Sequence, residues 1–186
     1  MNRLAPLSLD QVPAPARAAI DAGAKLMGFI PNDALVMARN PPLLAAFLEL
    51  VRSVYGPGKV APDLKRLVGM AASRAANCHY CTAHTANSAR ALGVSVDKLN
   101  ALCDFAVSDA FSDAEKAALH IASEAAKVPN GVDDDAYRQF AHYFGEDQQV
   151  EIMAVISLFG FLNRWNATLD TQLENIPADN WRELNV

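Results

Sequence analysis

What most constrains the fold of this chain is its punctuation. Runs with apolar residues at helical spacing are each closed by glycine, proline or asparagine, and no segment alternates convincingly with period two. Such a pattern suits helices packed on helices and argues against half-buried strands. From Pro42 onward it predicts helices over LLAAFLELVRSVY (43–55) and, after the breaker GPGKVAP, over DLKRLVGMAASRAAN (63–77). A third runs from about Cys78 to Leu92 and stops at Gly93. Ser95 opens a helix predicted to reach Val107. Ser112 with Glu115 is a capping box for DAEKAALHIASEAAKVP, which ends at Pro129, Asn130 and Gly131. Asp133 caps a helix to Phe144, and after Gly145 a last long helix spans Glu146 to Leu169. Six of the ten prolines fall in the first 42 residues, so that part reads as an arm with one short helix, ARAAIDAGAKLMGFI. The expectation is an all-α, compact multi-helix bundle of about eight helices forming one domain over 1–186. It has a Pro-rich N-terminal arm (1–42), a helical core (43–170) and an irregular C-terminal tail (171–186) containing Trp181.

Charge narrows the partners. With 16 basic against 21 acidic residues, a net charge of -5 and no basic cluster, nothing predicts binding to nucleic acid or to anionic lipid. The longest apolar run, IMAVISLFGFL (152–162), is short of the roughly 18–20 residues that cross a bilayer, and no cleavable signal follows Met1. Three cysteines make no disulfide scaffold, which fits a cytoplasmic protein whose paired thiols react or ligate.

Two of those cysteines stand in CHYCTAH (78–84). On a helix, Cα atoms three residues apart lie about 5 Å from one another, inside the roughly 4.4–6.8 Å over which a disulfide closes. Cys78 and Cys81 can therefore pair reversibly at the start of a core helix. His84 continues the same row, giving Cys81 a thiol on one side and an imidazole on the other. The helix N-terminus favours a thiolate at Cys78, whereas an adjacent proton acceptor favours one at Cys81. Attack is assigned to Cys81 with His84 as proton acceptor, and resolution to Cys78, whose place at the helix mouth is expected to be the more accessible. Such a row suits peroxide reduction through a sulfenic acid and a disulfide. It also suits plain thiol–disulfide exchange. A zinc site needs about four ligands and usually two such elements, and only one is present.

Other candidates carry less. His79 points away from the row of Cys81, and Tyr80 is a packing residue whose hydroxyl is within reach of the site. Cys103, in LNALCDF, is expected to be a core thiol, and His120 and His142 to be structural. Asn163, Arg164 and Asn166 follow the apolar run of the last helix. They mark either its emergence into solvent or an anchor, through Arg164 and an asparagine, to the motif helix or a neighbouring subunit.

The stretch SRAANCHYCTAHTANSARALG resembles the core signature of the alkylhydroperoxidase D-like proteins in the carboxymuconolactone decarboxylase superfamily, and FGFLNRWNATLD resembles the end of its peroxidase-related branch. The likeness spans about residues 40 to 170. It implies an alkylhydroperoxidase D-like helical fold, a homo-oligomer (trimer, hexamer or dimer), and a cofactor-free thiol peroxidase reducing hydrogen peroxide or organic hydroperoxides. Regeneration would come from a dithiol or lipoyl-type reductant. By the family pattern Cys78 and Cys81 are the redox pair and His84 the histidine that follows, three residues after the second cysteine where characterised peroxidases have four. The family's relay acid, twelve residues before the first cysteine, falls on Arg66. A guanidinium stabilises a thiolate by charge but accepts no proton. Glu49, Glu124 and Glu151 are the carboxylates considered as replacements. The alternatives are a general thiol–disulfide oxidoreductase and a non-catalytic, redox-sensing helical oligomer. Lactone decarboxylation fits poorly, because that branch typically lacks the cysteine pair.

Overall fold

The computed structural model describes residues 2–184, apart from the side chain of Leu26. Among them are ten α-helices and no strand: α1 (Ala14–Met27), α2 (Asn32–Met37), α3 (Pro41–Tyr55), α4 (Pro62–Ala75), α5 (His79–Ala91), α6 (Val96–Asn100), α7 (Asp113–Ala125), α8 (Asp134–Tyr143), α9 (Glu146–Leu169) and α10 (Asn175–Arg182). None of the helices of these residues is long and apolar enough to cross a membrane.

The capping residues act as their chemistry dictates. Ser112 and Glu115 make the reciprocal box, Asp133 accepts from Ala136 N–H, and Ser95 accepts from Lys98 N–H. The helix after Ser95 is shorter than predicted. It stops at Asn100 and tightens into a 3-10 turn, Ala101–Asp104: Leu99 and Leu102 are its buried residues, Val96, Ala101 and Phe105 are only partly covered, and Val107 is largely in solvent. Cys103 lies on the outer side of that turn, exposed, which corrects its expected place in the core. In the arm, Gly28 adopts a left-handed φ of 79° and ends α1 before Phe29 and Ile30, short of the predicted end. The arm also holds the unpredicted α2, whose residues Asp33 to Met37 are all buried.

The tail is not irregular: Pro177, in the first turn of α10, starts a helix that packs along α5. Residues 185 and 186 of that tail lie outside the described residues. The arm holds the end of α9 and the tail, with Arg3 donating to the carbonyls of Thr168 and Leu169, and Asn32 Nδ2 to Gln172 O at 2.9 Å.

Helix α4 is the centre, packed against α5, α7 and α9. Gly69 permits its close approach to α9, since a Cβ there would lie 2.4 Å from the Phe159 ring. Lys65, 3% exposed, donates to Val54 O and pairs with Glu151 at 2.9 Å, tying α3, α4 and α9 together.

Candidate active site

The join between α4 and α5 places the sulfurs. Asn77 takes a left-handed φ of 53°, its N–H returns to Arg74 O, and the N–H of Cys78 returns to Ser73 O at 2.9 Å. This Schellman pair ends α4 at Asn77 and makes Cys78 the N-cap of α5 in a single step. Asn77 thus closes α4 in the left-handed conformation and does not itself cap α5. Thr82 and Thr85 satisfy their buried hydroxyls on the carbonyls of Cys78 and Cys81, both at 2.8 Å. The motif helix therefore buries polar residues without orphaning them.

Both sulfurs are buried, each cysteine 2% exposed, so Cys78 is not the more accessible one. Cys81 reaches the wall of a cavity of about 390 Å³ that it shares with Asp33, Tyr55, Arg66, Tyr80 and His84, while apolar walls come from Phe47, Leu158, Phe159 and Leu162. The proton between the sulfurs is unequally held. The Cys78 thiol falls from its ordinary 9.0 to about 7, chiefly because the Cys81 thiol donates to its sulfur, with the Cys81 N–H adding to this against the effect of burial. Cys81, the donor of that bond and itself buried, is raised well above its ordinary value, while the amide of Asn166, 3.4 Å from its sulfur, pulls the other way.

His84 stands in the same cavity, its ring stacked on Tyr80 at 4.2 Å and met edge-on by Phe29. Its Nε2 bonds not to a sulfur but to Glu174 Oε2 at 2.7 Å. Glu174 Oε1 accepts from Tyr80 Oη at 2.8 Å and from the N–H of Asn32. Burial alone would raise this carboxyl, yet the hydrogen bond and charge of His84, with the Asn32 N–H, leave it below its ordinary 4.5. Tyr80 is thus part of the site, whereas exposed His79 packs against Trp181 of α10 instead.

The carboxylates considered from sequence are used elsewhere. Glu49 pairs with Arg52, Glu124 with Lys127, and Glu151 with Lys65 and the N–H groups of Lys59 and Val60. The acids near the sulfurs are Glu174 from the tail and Asp33 from α2. Asp33 is buried, and that burial raises its pKa against the pull of His84 and of Asn166, whose Nδ2 lies 3.3 Å from its carboxyl. Asn166 anchors α9 to the motif helix, one of the two roles considered for this stretch, while Arg164 is exposed. Arg66 reaches the cavity but lies over the Tyr55 ring, 3.5 Å from its centroid. His120 and His142 line a separate open hollow beside α7 and α8. Among the described residues no group of three or more His, Cys, Asp or Glu is arranged to hold a metal ion.

Asp33, Tyr55 and Glu174 are the side chains beside the sulfurs that the sequence reading did not single out. The signals pointing to them were an aspartate inside the apolar segment NDALVM and a glutamate at the start of a helix marked by Pro177.

Residues 41–124, which carry both cysteines and His84, match the carboxymuconolactone decarboxylase family. That segment is a carboxymuconolactone decarboxylase family domain. The whole chain is 33% identical to the debrominase Bmp8, whose crystal structure superimposes with a TM-score of 0.89 over 97% of this chain and 96% of that one. Bmp8 has also been crystallised, as a cysteine-to-alanine variant, in complex with 2,3,4-tribromopyrrole. A peroxidase-related protein with an alkylhydroperoxidase AhpD core, from Ralstonia eutropha JMP134, shares the fold at a TM-score of 0.81 and 19% identity over 94% of each chain. The protein YnjA of Escherichia coli K12 is 32% identical over 117 residues, which are 63% of this chain and 62% of YnjA.

Proposed function

We propose that the protein is a thiol-dependent reductase acting at Cys81 on a small organic electrophile, foremost an organic hydroperoxide. One observation carries this reading: Cys81, hydrogen-bonded to a more acidic Cys78, lies on the wall of a largely apolar cavity that also holds the buried carboxyl of Asp33. The sulfur with the higher proton affinity is the stronger nucleophile, and the one with the lower is the better leaving group. Cys81 passes its proton to the Cys78 thiolate and attacks the terminal peroxide oxygen. The O–O bond breaks, Cys81 becomes a sulfenic acid, and the departing alkoxide takes the Asp33 proton to leave as alcohol. Cys78 then attacks the Cys81 sulfur, the S–O bond breaks, and water leaves with the Cys78 proton. An external dithiol, of lipoyl type, attacks the Cys81 sulfur of the disulfide, expels Cys78 as thiolate and closes its own disulfide. Its two protons return to Cys81 and Asp33. His84, oriented through Nε2 by Glu174, relays protons to Asp33. A homo-oligomer and a cytoplasmic location belong to the same reading.

Likeness to a debrominase over nearly the whole chain favours a second electrophile, a halogenated aromatic ring. Cys81 would take the halogen, the carbon would keep the bonding pair and receive the Asp33 proton, and Cys78 would displace halide to form the same disulfide.

The test counts free thiols and products after mixing reduced protein with hydrogen peroxide, an aryl hydroperoxide or a brominated pyrrole, then adds dihydrolipoamide. The expectation is loss of two thiols per chain, faster with the aryl hydroperoxide than with hydrogen peroxide, turnover with the dithiol, and neither in Cys81→Ser. Bromide release would move the assignment to dehalogenation. Turnover with disulfides alone would make the protein an exchange enzyme, and one disulfide without turnover would make it a sensor. A Cys81→Ser protein as active as wild type would end the proposal.

A further inference from the structure

We infer that Arg66 and Tyr55 form a carboxylate-binding subsite on the wall that α3 and α4 give to the cavity of Cys81, so that the substrate is an apolar ring or short chain bearing one carboxylate. The inference rests on the reductase reading for the word substrate, but the subsite itself rests on three observations. First, the Arg66 guanidinium has no carboxylate partner among the described residues. Glu49 of α3 pairs with Arg52 and Glu151 of α9 with Lys65, and neither with Arg66. Second, the Tyr55 hydroxyl is buried without a hydrogen-bond partner of good geometry. The Arg66 guanidinium, stacked on the face of its ring, is near enough to stabilise a charge on that oxygen without making a well-directed bond to it. Third, both side chains line the cavity, and Tyr55 is close enough to Cys81 for a charge there to be felt at its hydroxyl.

A buried phenol oxygen short of a well-directed hydrogen bond and a half-buried cation without a counter-charge stand side by side on the cavity wall. A carboxylate relieves both. Stacking on Tyr55 leaves the edge of the guanidinium fork free to grip two oxygens, and the phenol is the further donor. The cavity, about 390 Å³, takes a substituted ring whole but not a long lipid chain. Because Glu174 supplies the site's acid from the tail, the position on α4 is free to carry the opposite charge.

The experiment uses the reduced Cys81→Ser full-length protein, in which no turnover confuses binding, and titrates benzoate and its neutral isostere benzamide by calorimetry at pH 7. Benzoate should bind at least about tenfold more tightly, as expected of a charge-assisted bidentate contact. That preference should vanish in Arg66→Met, survive in part in Arg66→Lys, and fall severalfold in Tyr55→Phe. Equal binding of the two probes, no binding of either, or a preference that persists in Arg66→Met would overturn the subsite. The benzoate–benzamide comparison decides even if Arg66→Met fails to fold. Should the Arg66-dependent preference hold while wild type reduces no electrophile, the subsite stands and the reductase reading falls. Turnover of neutral aryl hydroperoxides without any benzoate preference would instead keep the reductase reading and remove the subsite.

Discussion

Replacing Glu174 by glutamine changes one atom's charge and no volume, yet it strikes the group on which α2, α5 and α10 converge. Its side chain, 9% exposed, receives His84 Nε2, Tyr80 Oη and the N–H of Asn32. Glutamine keeps one acceptor oxygen and puts a donor where the other was, so at least one buried donor loses its partner and the rest lose charge assistance. An unpaired buried group costs about 1–3 kcal/mol, and hydrogen bonds to a charged group contribute about 1.5–3 kcal/mol. Glu174→Gln should therefore lose about 2–4 kcal/mol near neutral pH, which for a chain of this size lowers Tm by roughly 5–12 °C. The sign with pH follows from the carboxyl's lowered pKa. Its stabilisation is in force above the ordinary 4.5 and is lost as pH falls through the lower folded value. Denaturant unfolding of wild type and Glu174→Gln at several pH values from 7 down to 3 measures the gap directly. A gap below about 0.5 kcal/mol at pH 7, within the range of ordinary surface substitutions, or one that stays constant on acidification, would refute the claim that this carboxylate is ionised and holds the site together.

The rate of thiol oxidation by an aryl hydroperoxide should climb as pH rises to about 7 and level off above it, because the shared charge rests on Cys78; stopped-flow thiolate absorbance reads the midpoint, and one near 9 would contradict the shared proton. Gly69→Ala pushes a methyl into the Phe159 ring, and by the usual cost of overpacking should lose about 1–3 kcal/mol in urea unfolding. Asn77→Ala, forced to hold a left-handed φ, should cost about 1 kcal/mol while Asn77→Gly is close to neutral, both measured by thermal melts. Asp33→Asn should slow single-turnover reduction of an alkyl hydroperoxide far more than that of one whose alkoxide leaves readily without a proton, since only the first needs the acid; equal slowing of both would remove Asp33 as proton donor.

The helices that could be read in advance were those whose signals are local. Ser112 with Glu115, Asp133, Gly145 and the long apolar run to Leu169 each fix an end or a face through residues a turn apart, and α7, α8 and α9 fall close to where those signals put them. The same holds for the thiols, since a Schellman turn at Asn77 followed by CHYC sets both sulfurs at one helix start. What could not be read depends on packing between distant segments. Helix α2 is too short to show a period, and α10 joins the fold by lying on α5 rather than by its own propensity. The length of the helix after Ser95 is set by how far its inner face stays covered, which letters such as ALCDFAV do not reveal.

The same division explains the chemistry. The family motif supplies sulfur and imidazole, which share one helix, so their spacing can be reasoned from sequence alone. The acids reach that helix from 45 residues before Cys78 in the case of Asp33 and 90 residues after His84 in the case of Glu174, and both lie outside the 41–124 segment that matches the family. Sulfur paired with sulfur can deliver two electrons to many electrophiles. The choice among them lies with the groups that meet the electrophile's other atoms: Asp33 where a leaving group must be protonated, Phe47 and Phe159 where apolar bulk must be covered, and Arg66 with Tyr55 where a charge can be held. A scaffold of this kind can therefore take different electrophiles by exchanging the side chains around one helix start, since a site changes independently of the fold that carries it.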